Sequence, residues 1–328
     1  MKQKIKFDPD HLDFKIFECV TGSRLYGTHT EISDYDYRGV CLPPEEILLD
    51  PFMNFDQKDS GFENEDKTIY ALAKFFKLCA DANPNIIEML FIPNENILHM
   101  NNRWKLILEN KHLFLSKKAR YTFSGYAISQ LNAIKRRRQW FINPPTKKPT
   151  RFERGLPDVP LISGEGLDAI AKIGKAYLHE AVVDEIYREV EYRIEKKKWD
   201  NYMQWFKNRN PERKILEDKH GYDTKHAYHL FRLIEEGRQL LLTGEIRFPL
   251  NNREFLLGIK NGSFSYEQVV EEAEKIDLNF NKWYEHSELP FSADRKGLTE
   301  LYFRVIMDRT EVEHMKLYQG SWDQNDTQ

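Results

Sequence analysis

The chain is organised around two short segments, Thr21-Gly22-Ser23-Arg24-Leu25-Tyr26-Gly27 and Ser33-Asp34-Tyr35-Asp36-Tyr37-Arg38-Gly39. The largely apolar run at 14–20 precedes the first segment and predicts a β-strand, and the run through 39–42 predicts a second one. The expected local layout is therefore strand, Gly-Ser turn, short helix and strand.

The second segment carries two carboxylates that would share one face of a strand. Side chains at i and i+2 of a strand point the same way, so Asp34 and Asp36 would lie together while Tyr35 points away. Two adjacent carboxylates repel each other unless a cation lies between them, and Mg²⁺ prefers oxygen ligands that it shares with substrate phosphates. Asp-x-Asp alone is common in loops, so the prediction of a metal site depends on the whole combination of motifs.

The first segment has the chemistry of an anion site. Gly22 allows the backbone to approach a ligand closely, and Ser23 at the start of a short helix adds a hydroxyl and exposed N–H groups. Arg24 adds a fixed positive charge. These residues predict a phosphate site next to the proposed metal site.

Together these motifs resemble a known family. The run from Gly22 to Gly27, followed by Ser33-Asp34-Tyr35-Asp36, resembles the nucleotidyltransferase signature of the DNA polymerase β superfamily. The extensions Tyr26-Gly27-Thr28 and Asp36-Tyr37-Arg38-Gly39 are similar to the RlaP-type (RNA-ligase-associated) nucleotidyltransferases. The resemblance implies a two-metal site completed by a third carboxylate, with the triphosphate held by the Gly-Ser turn.

Asp66 is the candidate for the third carboxylate, because it lies where the third core strand of the superfamily should deliver one. The sequence leaves alternatives open, since Glu63 or Glu65 would serve equally well and Asp66 would also suit a helix N-cap. The segment 83–90 is also similar to RlaP-type chains. Within it, Glu88 is expected to be an exposed helix carboxylate, and contact with the active site is the alternative.

A second cationic element is predicted near residue 225. If Asp223 caps a helix, then Lys225, His229 and Arg232 fall at i, i+4 and i+7 on one stripe. The segment also resembles a second RlaP-type signature, and the stripe would face the triphosphate. An ordinary solvated face is the alternative, and zinc binding by His226 and His229 lacks a nearby third ligand.

A basic run is the candidate for nucleic-acid contact. It consists of Lys135, Arg136, Arg137 and Arg138, followed by Trp140 and Phe141 and a linker rich in Pro, Lys and Arg. Lys and Arg neutralise phosphates and aromatic rings stack on bases. Cations also favour helix C-termini, so a structural role is the alternative.

Composition limits the class of protein. The formal net charge of −3 over 328 residues gives no global sign of nucleic-acid binding. Three scattered cysteines exclude a disulfide framework or a zinc-finger site. Since no apolar run reaches membrane-spanning length, we expect a cytoplasmic protein without membrane contact.

The predicted fold is α+β, with a polymerase-β-like nucleotidyltransferase core containing a small mixed sheet and a mostly helical C-terminal region. The domains would be a core at 1–100, a helical region with the basic linker at 101–215, a helical domain at 216–318 and a disordered tail at 319–328. A flexible acidic segment is expected at 59–66, one helix at 68–79 and one helix at 265–283.

The predicted activity is transfer of a nucleoside monophosphate from an NTP to a hydroxyl, with release of pyrophosphate. Asp34, Asp36 and Asp66 would bind two Mg²⁺ ions, with Mn²⁺ as a possible replacement. Gly22, Ser23, Arg24, Lys225, His229 and Arg232 would bind the nucleotide. The expected acceptor is an RNA end; the alternatives are nucleotidylation, such as AMPylation, of a protein or small molecule, and a non-catalytic nucleotide sensor.

Overall fold

A computed structural model describes residues 7–31, 33–50, 52–62, 65–160, 179–209 and 211–307. The chain divides into two compact units. The first unit comprises residues 1–131 and 225–328, and the second comprises residues 132–224. The predicted tail at 319–328 lies outside the described residues.

A five-stranded sheet forms the centre of the first unit. Its strands are β1 (Lys15–Thr21), β2 (Tyr35–Cys41), β3 (Gln57–Phe62), β4 (Glu65–Ala71) and β5 (Ile97–Met100). They lie in the order β3-β4-β2-β1-β5. The β2–β4 pair is parallel and the other pairs are antiparallel, so the small mixed sheet that the sequence predicts is confirmed.

Most of the other described elements are helices. In the first part of the chain they are α1 (Gly22–Tyr26), α2 (Glu45–Leu48), α3 (Leu72–Ala80), α4 (Pro84–Ile87), α5 (Asn102–Glu109) and α6 (Ala119–Ile142). The second unit adds α7 (Glu180–Lys207) and α8 (Pro211–His220). The remaining helices of the described residues are α9 (Thr224–Thr243), α10 (Arg253–Lys260), α11 (Tyr266–Ala273), α12 (Ile276–His286) and α13 at 295–307. The α+β class with a helical C-terminal region is thus confirmed.

Two local predictions are wrong for residues 57–80. The acidic segment expected to be flexible is a β-hairpin, in which β3 pairs antiparallel with β4. β3 lies at the edge of the sheet, and its charged and polar side chains face water. Its sequence therefore lacks the alternation of apolar and polar residues from which a strand is predicted. The helix expected from residue 68 begins at Leu72, because residues up to Ala71 pair with β2 instead.

The helix predicted over 265–283 is two helices, α11 and α12. Ser265 and Gln268 form a capping box at the start of α11. The backbone N–H of Gln268 donates to the hydroxyl oxygen of Ser265, and the backbone N–H of Ser265 donates to Oε1 of Gln268. The apolar positions of both helices share a similar spacing, so hydrophobic periodicity alone does not locate the break between them.

Aromatic side chains fill the core between the sheet and its helices. The ring of Phe17 on β1 stacks on Trp104 of α5, with centroids 4.1 Å apart and planes 9° apart. Phe75 of α3 contacts Trp104 and Phe114. All four side chains are fully buried, which fixes the sheet that carries the candidate site.

Candidate active site

Asp36 and Asp66 lie side by side on the two parallel strands of the sheet. In the register of β2 and β4, Asp36 is opposite Asp66, and Tyr35 is opposite Glu65. Paired residues of neighbouring strands point to the same face, so Asp66 shares the face of Asp36. Glu65 points to the opposite face with Tyr35. Glu63, the other alternative, lies outside the described residues.

Glycines make room for both carboxylates. Gly22 has φ +67°, in the left-handed region, and a Cβ there would lie 1.8 Å from Oδ2 of Asp36. Gly61 on β3 is opposite Asp66, and a Cβ there would lie 3.1 Å from Oδ1 of Asp66. The Gly-Ser turn is therefore in direct contact with the Asp-x-Asp motif, as the sequence predicts.

The electrostatic surroundings of Asp36 are unfavourable for a lone carboxylate. Burial raises the pKa of Asp36, and the charges of Asp66 and Asp34 raise it further. Arg38 and Lys225 act in the opposite direction but do not cancel the increase in pKa. Asp34 is exposed just before β2. A bound cation would relieve the repulsion between Asp36 and these neighbouring carboxylates.

Lys260 is a site residue that the sequence analysis missed. Its Nζ donates to the carbonyl oxygen of Thr28, 3.2 Å away, in the loop that follows the Gly-Ser turn. Burial lowers the pKa of Lys260, as does the charge of Lys225, whereas Asp34 raises it. Two lysines and the carboxylate of Asp34 are thus near neighbours. No sequence motif marks Lys260, which is the last residue of α10.

Arg24 interacts with its own neighbourhood. Its guanidinium donates to the carbonyl oxygen of Ser33 at 2.9 Å and lies over the ring of Tyr35, 3.6 Å from the centroid. These contacts fasten the loop between α1 and β2, which positions Asp34. Direct phosphate binding by Arg24 stays a prediction.

The predicted cationic stripe on α9 runs from solvent into the protein interior. Lys225 is exposed and His229 is half-buried, but Arg232 is 5% exposed. Nη1 of Arg232 bonds Oε1 and Oε2 of Glu236 at 2.9 and 3.0 Å, and Tyr26 Oη at 3.0 Å. These contacts hold the guanidinium of Arg232 within the first unit.

Glu88 is at the centre of the same buried network, so its predicted exposure is wrong. Its carboxylate is fully buried, accepts a hydrogen bond from Tyr26 Oη at 2.9 Å and is ion-paired with Arg38 and Arg232. Arg38 stands two residues after Asp36, and Tyr26 stands three after Ser23. The network also contains Glu236, and burial raises the pKa of that carboxyl group to about 8 despite the charge of Arg232 beside it. Pairing with the two arginines makes the burial of these carboxyl groups tolerable.

The loop after α1 is joined to α9 by a second contact. The hydroxyls of Thr28 and Tyr228 lie 2.7 Å apart, and Thr28 is fully buried. Burial raises the pKa of Tyr228 to about 12, so its hydroxyl stays protonated at neutral pH. The Gly-Ser turn and the start of α9 are therefore fixed to one another.

The predicted basic run lies on α6, where its members differ. Arg137 is ion-paired with buried Asp223, and Arg138 donates to the carbonyl oxygen of Gly221 at 2.8 Å. Lys135 is half-buried, whereas Arg136 is exposed and lies over the ring of Trp140. Arg137 and Arg138 thus have structural partners, and Arg136 is the most accessible cation of the four.

Among the described residues, no group of three or more His, Cys, Asp or Glu side chains is arranged to hold a metal ion by itself. His226 bonds Gln130 through Nδ1 at 2.5 Å. The pair Asp36 and Asp66 nevertheless has the donor chemistry that suits Mg²⁺, which is bound through one or two carboxylates and completes its ligands with phosphates and water. The described chain also contains no helix long and apolar enough to cross a membrane.

Comparison with known proteins confirms the resemblance stated above. Residues 11–148 match the model of the RlaP family, described as the RNA repair pathway DNA polymerase beta family. The matched segment includes the whole five-stranded sheet and all of α6. It ends before the second similar segment expected near residue 225.

The chain is also similar to an uncharacterised 38.9 kDa protein of Enterobacteria phage T4, with 32% identity over 119 residues. This similarity spans 33% of the chain and 35% of the phage protein. The crystal structure of a nucleotidyltransferase-like protein from Exiguobacterium sibiricum matches 84% of this chain. The match covers 70% of the Exiguobacterium chain, with 8% sequence identity and a TM-score of 0.24. That likeness is too distant to support an argument. Residues 11–148 are thus similar to the polymerase-β-type nucleotidyltransferases of the matched family model.

Proposed function

We propose that this protein transfers a nucleoside monophosphate from an NTP to the hydroxyl of an RNA end, releasing pyrophosphate in a metal-dependent reaction. The observation that carries the proposal is the register that sets Asp66 beside Asp36, with Gly22 against the Asp36 carboxylate. Binding alone would not require paired carboxylates next to an anion site.

Asp34, Asp36 and Asp66 would hold two Mg²⁺ ions, and Mn²⁺ would replace them. When bound, such ions polarise the phosphoryl group and make the attacking hydroxyl more acidic. The like charges that raise the pKa of Asp36 support this assignment, because they favour a cation between the carboxylates.

The side chains around the carboxylates would orient the nucleotide. Ser23 and the backbone of Gly22 would contact the phosphates, since Gly22 has no side chain to block them. Lys225, His229 and Lys260 would neutralise the negative charge that develops on the departing pyrophosphate. The Asp66 carboxylate would accept the proton of the attacking hydroxyl.

Arg232 and Arg24 are assigned positioning roles. The buried contacts of Arg232 support a role in holding Tyr26 and Glu88, and hence α1 and β2, in place. The contact between Arg24 and Ser33 supports a similar role for the loop that carries Asp34.

The RNA acceptor is supported by the description of the matched family, which refers to RNA repair. The test is incubation with each α-labelled NTP and Mg²⁺ or Mn²⁺, with and without mixed small RNAs. We expect label on RNA with the native chain and none with Asp34→Asn or Asp36→Asn. Label on protein or on a small molecule would show a different acceptor, and NTP binding without any labelled product would contradict catalysis.

A further inference from the structure

Five aromatic rings form a continuous cluster on α6 and α7 of the second unit. We call it the aromatic stripe; it consists of Trp140, Trp199, Tyr202, Trp205 and Phe206. Tyr202 is the central ring, with centroids 6.2 Å from Trp199, 5.9 Å from Trp205 and 5.9 Å from Phe206. Trp140 of α6 lies 5.3 Å from Trp205 and 6.0 Å from Tyr202. Half of the six tryptophans of the chain are in this cluster.

The aromatic stripe is not a hydrophobic core. Phe206 is 58% exposed, and the four other members are only half-buried. Trp104 in the first unit is 0% exposed, which shows what a core tryptophan of this protein looks like. Large rings that keep contact with water mark a binding surface when they are contiguous.

Cations flank the stripe on both sides. Residues 196–207 include four lysines and one aspartate. With 100° between successive residues of a helix, Lys196 and Lys207 fall on one side of Trp199, and Lys198 falls on the other side, beside Trp205. All three lysines are exposed. Glu195, which would repel an anion, is ion-paired with Arg154.

Arginines extend the positive charge around the rings. Arg136 lies over Trp140, 5.6 Å from its ring centroid, and Arg209 lies over Trp205 at 4.9 Å. Arg136 is exposed, whereas Arg209 is ion-paired with Glu217 at 2.5 Å. Arg136 therefore adds an accessible cation at the Trp140 end of the stripe.

We propose that the aromatic stripe and its flanking cations form a binding surface for single-stranded nucleic acid. Successive unpaired bases would stack on the rings while Lys196, Lys198 and Arg136 contact the backbone phosphates. Charge complementarity selects this occupant: a protein partner on an apolar patch needs few cations, whereas a phosphate backbone needs a row of them.

The proposal deepens the proposed function, and rests on it for the identity of the ligand as the RNA acceptor. The sequence predicts nucleic-acid contact by Arg137 and Arg138, but both side chains have structural partners. The proposal therefore assigns this contact to the exposed surface of α7 and to Arg136. Binding requires neither NTP nor metal, so it can be measured without catalysis. The failure of one proposal is therefore distinguishable from the failure of the other.

The test is fluorescence anisotropy of a labelled, unstructured 15-nucleotide RNA with the full chain, in EDTA and at several salt concentrations. Because each stacked base contributes roughly 1–3 kcal/mol, Trp199→Ala should raise Kd about 5- to 150-fold. Trp199→Phe keeps a stacking ring and should stay within about threefold of the native Kd. Tyr187→Ala removes an exposed ring from the same helix, away from the stripe, and is the matched control.

Further variants separate stacking from charge. Lys196→Gln with Lys198→Gln should reduce the slope of log Kd against log salt concentration by about 1.4, the effect of two phosphate contacts on a single strand. Asp36→Asn should leave Kd unchanged. The same RNA annealed to its complement should bind at least about tenfold more weakly, since its bases are no longer free to stack.

Any one of the following results would overturn the proposal. They are absence of binding at about 100 μM protein, equal effects of Trp199→Ala and Tyr187→Ala, equal affinity for the duplex, and a dimer in solution that Trp199→Ala dissociates. The last would show that a second copy covers the stripe. If Trp199→Ala fails to fold, Trp199→Phe still tests the proposal. The Phe ring can stack on a base, so loss of RNA binding by Trp199→Phe would also contradict the proposal.

Discussion

The carboxylate site and the aromatic stripe differ in how their side chains are held. Asp36 and Asp66 are positioned by strand register, and the network that supports them is centred on the fully buried carboxylate of Glu88. The rings of the stripe lie on helices and remain partly exposed. Catalysis needs fixed distances between side chains, and the candidate catalytic residues accordingly lie on a sheet with a packed core. Base stacking tolerates variation in ring position and needs only a row of accessible rings.

The sharpest test of this difference applies one substitution in both regions. Trp104→Ala should lower the free energy of unfolding by about 3–5 kcal/mol, because it leaves a cavity beside Phe17 in a packed core. Trp199→Ala should lower it by no more than about 1 kcal/mol while weakening RNA binding. Urea denaturation measures the free energy of unfolding of both variants. Equal losses of this free energy would contradict the proposed difference between the two regions.

A second large effect is expected from Glu88→Ala. Removing this carboxylate takes away the buried acidic partner of Arg38 and leaves Arg232 paired with Glu236 alone, so the free energy of unfolding should fall by about 3–5 kcal/mol. Exposed Glu95→Ala is the matched control and should change stability by no more than about 0.5 kcal/mol. A mild effect of Glu88→Ala would mean that the network does not support the carboxylate site.

A moderate effect is expected from Lys260→Gln. Loss of this charge near Asp34 and Lys225 should lower kcat/KM for the NTP about tenfold, or about 1.4 kcal/mol of transition-state stabilisation. Lys296→Gln, at an exposed position on α13, should have no effect. Steady-state kinetics with both variants decides whether Lys260 belongs to the nucleotide site.

The smallest expected effect has the opposite sign. The pKa of Asp36 is raised in the folded chain, so its ionised form is disfavoured there and opposes folding above that pKa. Asp36→Asn should therefore raise the melting temperature slightly at neutral pH in EDTA, and this gain should shrink as the pH is lowered and Asp36 becomes protonated. A lower melting temperature at pH 7 would contradict the account of this site as a group of repelling carboxylates.

Much of the candidate site follows from local sequence. Gly22 and Asp36 are predicted together because a strand, a tight turn and an alternating strand are short-range features. The family resemblance added Asp66, and the parallel register explains why it, rather than Glu65, faces Asp36. Strand register depends on pairing between distant segments, so the sequence left that choice open.

The rest depends on tertiary contacts that carry no local signal. Lys260 lies at the end of an ordinary amphipathic helix, and only the packing of α10 brings it to Thr28. Glu88 has the composition of an exposed residue, yet two arginines from β2 and α9 allow it to be buried. The hairpin at 57–71 was missed because an exposed edge strand lacks apolar alternation.

The most direct test of the central claim compares Asp66→Asn with Glu65→Gln in the transfer assay. The two residues are adjacent in sequence, but the register turns only Asp66 toward Asp36. We predict that Asp66→Asn lowers the rate of nucleotide transfer by roughly 10³-fold, whereas Glu65→Gln leaves it within about twofold. Equal losses, or a loss with Glu65→Gln alone, would contradict the proposed site.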